Sequence, residues 1–201
     1  MNIKAKIENV LLKEAQAIQA INVTDEFELA VLMLQNCQGK VVTTGIGKAG
    51  FIARKFSATL SSTGTPAVFI HPAEAGHGDL GILNPDDCIV AFSTSGKSNE
   101  VIEMLGIARH LGISKVIGIT SHPDSLLREH SELILDMGPD IEEPCPLKLT
   151  PSATTAVMLA ISDSLALTLM ELKGFTKEDY GMRHHKGYLG SLSRQKPDYE
   201  S

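Results

Sequence analysis

Twice in this chain an apolar strand pattern runs straight into a loop of glycines and hydroxyls that then opens a helix: VVTTGIGKAGFIARKF from Val41, and CIVAFSTSGKSNEVIEML from Cys88. Strands that return in the same direction need crossover connections, and helices supply them. Strand patterns near 40 to 44, 67 to 71, 87 to 92, 115 to 120 and 132 to 136 alternate with helical patterns beginning near Lys48, Ser98 and Asp124. Runs such as KVVTT, AVFI, CIVAF and KVIGIT are apolar on both faces, as strands covered on each side must be. The expected fold is α/β, a three-layer αβα sandwich around a five-stranded parallel sheet.

Two helices are expected before the first strand. Ile3, Ile7, Val10, Leu11 and Ile18 share one helical face, and Thr24 followed by Asp25 and Glu26 reads as the capped, acidic start of a second helix closing at Gly39. The segment 137 to 152 is a proline-rich loop, and a long helix is expected from about Ala153 to Lys173, ending at Gly174. That helix is apolar nearly all round, so it packs against another subunit as well, or it is the central core helix of a monomer. At 201 residues the chain suits one domain: N-terminal helices over 1–39, a core over 40–192, and a tail over 193–201, SRQKPDYES, expected to fray.

A net charge of -6 provides no basic field for nucleic acid or anionic lipid, so neither is an expected partner. The apolar stretch from Ala156 to Met170 is broken by Ser162, Asp163 and Ser164 and falls short of the roughly 20 residues a bilayer demands, so no membrane span is expected. Cys37, Cys88 and Cys145 form no CxxC pair, and the N-terminus lacks the apolar centre of a signal peptide. The cytoplasm is the expected compartment.

The second loop is the more specific of the two. Ser93, Thr94, Ser95 and Ser98 offer four hydroxyls within six residues, beside the unpaired N–H groups and positive dipole end of the next helix, an arrangement suited to phosphate. Simple capping needs one hydroxyl rather than four. In the first loop Gly45, Gly47 and Gly50 match G-x-G-x-x-G, but no acid ends the second strand to hold a ribose, and no G-x-x-x-x-G-K-[ST] is present. These glycines either let helix and strand pack closely or bring the backbone to an anion, where Lys48 would neutralise a developing negative charge.

HPAEAGHGDLG, from His71 to Gly81, is dense in histidines and acids, yet its spacing fits no standard zinc signature. A rigid turn is the plain reading. No metal is expected as an essential component, with His77 a candidate for adventitious, inhibitory metal. Glu100 lies in the first turn after the serine loop, where it either faces the ligand or caps the helix. Glu143 sits in the loop after the fifth strand, at the ligand edge or simply solvated, and His184 and His185 read on composition as a surface pair.

Taken together, GIGKAGFIARKFSATLSSTGTPAVFIHPAEAGHGDLG, AFSTSGKSNE, EEPCPLKLTPSATTAVMLAISDSLALTLMELKGFTKEDY and HHKGYLG resemble the sugar isomerase (SIS) domain of the arabinose-5-phosphate isomerases, which feed the synthesis of Kdo, an acidic sugar of lipopolysaccharide and capsules. The resemblance implies the SIS fold and interconversion of ribulose 5-phosphate and arabinose 5-phosphate through an enediol, with no cofactor. It implies that Lys48 contacts substrate, that Ser93, Ser95 and Ser98 hold the phosphate, and that Glu100, Glu143 and His184 surround the reacting sugar. His184 would come from a neighbouring subunit of a homotetramer with shared active sites. Glu143 is the expected carbon base, with His184 the alternative, and Gly45, Gly47, Thr94 and His77 are expected near the ligand.

Two departures from the family pattern stand out. The usual glutamate after S-x-S-G is Lys97 here, and the usual proline and glycine after the histidine are His185 and Lys186. No counterpart of the paired CBS modules of many relatives follows, so regulation is expected in the catalytic domain itself, by feedback from an acidic sugar nucleotide such as CMP-Kdo near Lys97, His185 and Lys186. Three other functions fit parts of the pattern: a non-catalytic phosphosugar sensor, a phosphoheptose or phosphohexulose isomerase, and, last, a nucleotide-dependent oxidoreductase.

Overall fold

The computed structural model describes residues 2–139 and 141–194. Five parallel strands, β1 (Val41–Gly45), β2 (Ala67–Phe69), β3 (Cys88–Phe92), β4 (Val116–Thr120) and β5 (Leu133–Asp136), form one sheet in the order β2-β1-β3-β4-β5. Alternate strand residues face opposite sides, and each side meets helices. Val41, Val90, Phe92 and Ile119 join one core with α2 (Asp25–Gln35), α3 (Gly47–Ser62) and α7 (Ala153–Leu172). Val42, Ile89 and Ala91 join the other with α4 (Pro72–Ala75), α5 (Asn99–His110) and α6 (Leu126–His130). The three-layer sandwich is as the strand patterns imply.

The direction of the crossovers creates the site. β1 leads into α3 on one face, β3 leads into α5 on the other, and the two strands are neighbours paired as far as Gly45 with Phe92. Their outgoing loops therefore part at the carboxyl edge of the sheet, and a crevice opens between them.

Several elements differ from the sequence expectation. β2 is shorter than expected, and the stretch from His71 to Gly81 is a short helix with Pro72 at its first position, followed by a 3-10 turn, Asp79–Ile82. Beyond α7, α8 (Lys177–Arg183) begins in a capping box between Thr176 and Asp179, and α9 (Gly187–Ser193) follows. α1 (Ile3–Gln19) has the expected apolar face but buries no residue: Ile3, Ile7 and Leu11 are exposed. Residues 195–201 of the tail lie outside the described residues.

α7 spans Ala153–Leu172, within a residue of its expected limits. At 20 residues it is long and apolar enough, by length and composition, to cross a membrane. Here it is the helix on which α1, α2 and α3 converge, with Val157, Met158, Ile161, Leu165 and Leu169 in the core and Leu167 and Leu172 facing outward.

A buried ion pair locks the start of β1 to the start of β3. Asp87, 1% exposed, accepts from the Lys40 backbone N–H (2.8 Å), the Lys40 ammonium (2.7 Å) and the Asn84 N–H (2.8 Å). Burial alone would raise the Asp87 carboxyl, but the hydrogen bonds from Lys40 and Asn84 and the Lys40 charge outweigh it and hold it below the usual carboxylate range. A depressed carboxyl stabilises the fold above its unfolded value near 3.9, and that contribution is lost as pH falls through the lower folded value. Asp87→Asn should therefore cost about 3 kcal/mol in urea denaturation at pH 7, where it leaves the Lys40 charge uncompensated. The gap from wild type should narrow below about pH 4.

Candidate active site

The crevice holds a pocket of about 300 Å³ lined by Ile46, Lys48 and Ala49 from the first loop, Phe92, Ser93, Thr94, Ser95 and Ser98 from the second, and His122, Pro151 and Thr155. The larger hollow between α2 and α7 is mostly apolar, and the one bounded by Asn22, Glu26, Arg128 and Glu132 is polar but lies away from the two loops. Both loops were candidates for ligand binding in the sequence, and the fold brings them together. Lys97, exposed, and Gly45, buried, are in the same two loops but are not among the lining residues.

The three glycines of the first loop divide their work. A Cβ on Gly50 would stand 2.5 Å from the Gly45 carbonyl oxygen, and one on Gly45 would stand 3.0 Å from the Phe92 carbonyl oxygen, so these two allow helix and strand to pack. Gly47 instead has φ +61° and open space where a Cβ would be. It makes the turn that brings the N-terminus of α3 to the pocket.

Ser98 settles the capping question for the second loop. It occupies the N-cap position of α5, yet its hydroxyl makes no capping bond and turns to Ser93 Oγ, 3.1 Å away. Ser93 Oγ also accepts from the Gly96 N–H at 3.1 Å, and Ser95 Oγ accepts from the Lys97 N–H at 3.2 Å. Among the described residues nothing accepts from the N–H groups of Asn99 and Glu100 at the start of α5, or of Gly47, Lys48 and Ala49 at the start of α3. Two uncapped helix ends thus converge on a cluster of hydroxyls, a site for an anion.

The peptide between Thr94 and Ser95 is held from behind. The Thr94 carbonyl accepts from the Ser121 N–H, Thr120 Oγ1 and Ser121 Oγ, each at 3.0 Å, all from the end of β4 and the turn after it. In a trans peptide the N–H points opposite to the carbonyl, so this clamp turns the Ser95 N–H away from β4, toward the interior of the loop. No described residue accepts from it.

The helix α7 also starts at this pocket, but its end is already occupied. Glu143 Oε2 accepts from the N–H groups of Ser152 (2.8 Å) and Ala153 (2.9 Å), and Oε1 accepts from the Thr154 N–H (3.2 Å) and Thr154 Oγ1 (2.5 Å). The carboxyl group thus takes the place of a capping residue at this helix end. Glu143 is not among the residues lining the pocket, although its partners lie between Pro151 and Thr155, which are.

The loop carrying Glu143 is tied down on both sides. Cys145 Sγ accepts from the Leu149 and Thr150 N–H groups, each at 3.2 Å. The Thr150 N–H does most to lower the thiol, burial opposes it, the Leu149 N–H adds to the lowering, and the net is about 7. From the other side α1 reaches over: Lys6 Nζ donates to the Pro144 carbonyl (3.1 Å), Lys13 pairs with Glu142 (3.5 Å), and Ser152 Oγ bonds Glu14. Lys148, 2.8 Å away, and then Lys13 hold the Glu142 carboxyl below its usual range.

The remaining expected residues scatter. Lys48 lines the pocket with its ammonium exposed and bonded to no described residue. Glu100 is half-buried in the first turn of α5 and likewise bonded to none, but it does not line the pocket. His184 caps the C-terminal end of α8, its Nδ1 3.0 Å from the Tyr180 carbonyl and its ring stacked on Tyr180 at 3.7 Å, and takes no part in the lining. His77, His185 and Lys186 are exposed and also outside it. No group of three or more His, Cys, Asp or Glu residues suited to a metal occurs among the described residues. Of the lining residues that the sequence did not single out, His122 is the one with an ionisable side chain; its position directly beyond the carboxyl end of β4, beside the strand bearing the serine loop, was the available signal.

A family model for the SIS domain matches residues 33–163. The arabinose 5-phosphate isomerase KdsD of Pseudomonas aeruginosa is 41% identical over 179 residues, covering 88% of this chain and 54% of that protein. KdsD of Francisella tularensis is 42% identical over 172 residues, covering 84% and 52%. The chain spans about half the length of these curated relatives. Among solved structures, Escherichia coli CFT073 c3406 in complex with A5P superposes with a TM-score of 0.86 at 38% identity, covering 92% of this chain and all of that one. A Bacteroides fragilis protein described as a phosphosugar isomerase involved in capsule formation gives 0.88 at 44% identity, covering 93% and 100%. The sheet order, the two ligand loops and these matches agree: the chain belongs to the SIS domain family.

Proposed function

We propose that this chain is an aldose–ketose isomerase that interconverts D-ribulose 5-phosphate and D-arabinose 5-phosphate through an enediol, supplying Kdo synthesis. The observation that carries the proposal is the switch-point pocket, where three serine hydroxyls and two uncapped helix ends meet the unpaired ammonium of Lys48. A relative matched over its full length binds A5P, and the curated relatives are arabinose 5-phosphate isomerases.

In the proposed reaction the phosphate sits among Ser93, Ser95 and Ser98, which directs the carbonyl end of the open-chain sugar away from the serine loop. Glu143 removes the proton from the carbon next to the carbonyl, Lys48 stabilises the negative oxygen of the enediolate, and the proton returns to the neighbouring carbon. All four lone-pair positions of Glu143 are engaged at rest. The Thr154 hydroxyl, which can rotate to another acceptor, is the bond that gives way. Glu100 orients Lys48 or a sugar hydroxyl.

His184 moves protons at the sugar oxygens from a neighbouring subunit of a homotetramer. Its absence from the pocket of its own chain supports this, as do the exposed apolar residues Ile7 and Leu11 of α1 and Tyr188 and Leu189 of α9. The three free cysteines suit a cytoplasmic enzyme. Feedback by CMP-Kdo would act at the exposed cations Lys97, His185 and Lys186, and initial rates unchanged by added CMP-Kdo would remove it.

The test is an incubation of purified protein with ribulose 5-phosphate, followed by NMR. Arabinose 5-phosphate is the expected aldose. Ribose 5-phosphate would move the assignment to another epimer, and no product would overturn the catalytic reading.

A further inference from the structure

We propose that His122 is a ligand of the phosphate, a second nitrogen side chain in the site beside Lys48. His122 Nδ1 lies 3.1 Å from the Thr94 carbonyl oxygen and 3.1 Å from Ser121 Oγ. A carbonyl only accepts, so Nδ1 carries a hydrogen, and the ring is fixed to the same peptide whose N–H the β4 turn aims into the cradle. The other ring nitrogen, Nε2, bonds no described residue, and His122 lines the pocket with Ser93, Ser95 and Ser98.

The charges around the ring are positive, so an arriving anion is the negative group it meets. The facing cations are Lys48 at the start of α3 and Arg128 of α6, whose Nε donates to the His122 carbonyl at 2.8 Å and whose charge is taken up by Asp136 of β5. No carboxylate lines the pocket. A phosphate oxygen at Nε2 accepts a hydrogen bond from the ring, made charge-assisted by the charge of the phosphate itself. The backbone is already set, because the Thr94 carbonyl holds the turn before any ligand binds.

This rests on the serine loop being the phosphate cradle, and the experiment separates the two. Binding of inorganic phosphate to the full chain would be titrated by 31P NMR in wild type, Ser98→Ala, His122→Ala and His122→Arg. His122 is exposed on a turn, so its variants should fold, which thermal melting confirms. His122→Ala should weaken phosphate binding about tenfold, and His122→Arg, which keeps a nitrogen donor, should recover most of it. In turnover, the loss should fall on KM rather than kcat. If Ser98→Ala weakens phosphate but His122→Ala does not, the role of His122 is overturned and the cradle stands. If neither variant changes phosphate binding, the cradle falls and His122 with it. A fall in kcat with phosphate affinity unchanged would place His122 at the sugar and overturn the proposal.

Discussion

Glu143→Gln is expected to slow exchange of the transferred proton with solvent by about 10²- to 10⁴-fold, the range for loss of a general base. Ligand affinity should survive, because Glu143 lies outside the lining of the switch-point pocket. The substitution also disturbs structure. Four donors meet the carboxylate at the start of α7, and an amide that presents its own N–H₂ to two of them leaves donors facing donors. A loss of about 1 to 3 kcal/mol in stability should accompany the kinetic effect. Thr154→Val separates the two consequences. It removes one donor from Glu143 Oε1 and costs comparable stability, but keeps the carboxylate, so exchange should persist. Retained turnover in Glu143→Gln would take the base role away from this residue.

Lys48→Met should lower kcat by about 10²- to 10³-fold, the scale for removing one group that stabilises an oxyanion. Because the ammonium is exposed and bonds no described residue, the change should leave stability within about 0.5 kcal/mol of wild type. This contrast between kinetics and melting distinguishes Lys48 from Asp87, whose charge is used in the fold. A large fall in melting temperature with modest loss of rate would assign Lys48 a structural role instead.

The strands lie within a residue or two of their expected limits, apart from the short β2, because doubly covered strands are apolar at every position and their ends are marked by glycine and hydroxyl loops. The helices α4, α8 and α9 were harder to read. Each has seven residues or fewer and a glycine inside or at its border, so no period could develop, although the Thr176–Asp179 capping box was a local signal for α8.

Within the site, the serine loop was legible because hydroxyl density is a local property. The state of Ser98 was not, since whether its side chain caps or turns to Ser93 depends on how the loop closes. The engagement of Glu143 was also hidden: its partners lie 9 to 11 residues away, across a loop folded by Cys145 and tied by α1. His122 belongs to the same class. A lone histidine in SHPDS has no spacing pattern, and its meeting with Thr94 arises from the adjacency of β3 and β4 in the sheet.

A crystal structure of this chain with arabinose 5-phosphate bound tests the central claim most directly. The phosphorus is expected between Ser93, Ser95 and Ser98, at the uncapped ends of α3 and α5, with the sugar chain extending toward Lys48. A phosphate group seated anywhere else on the molecule would contradict it.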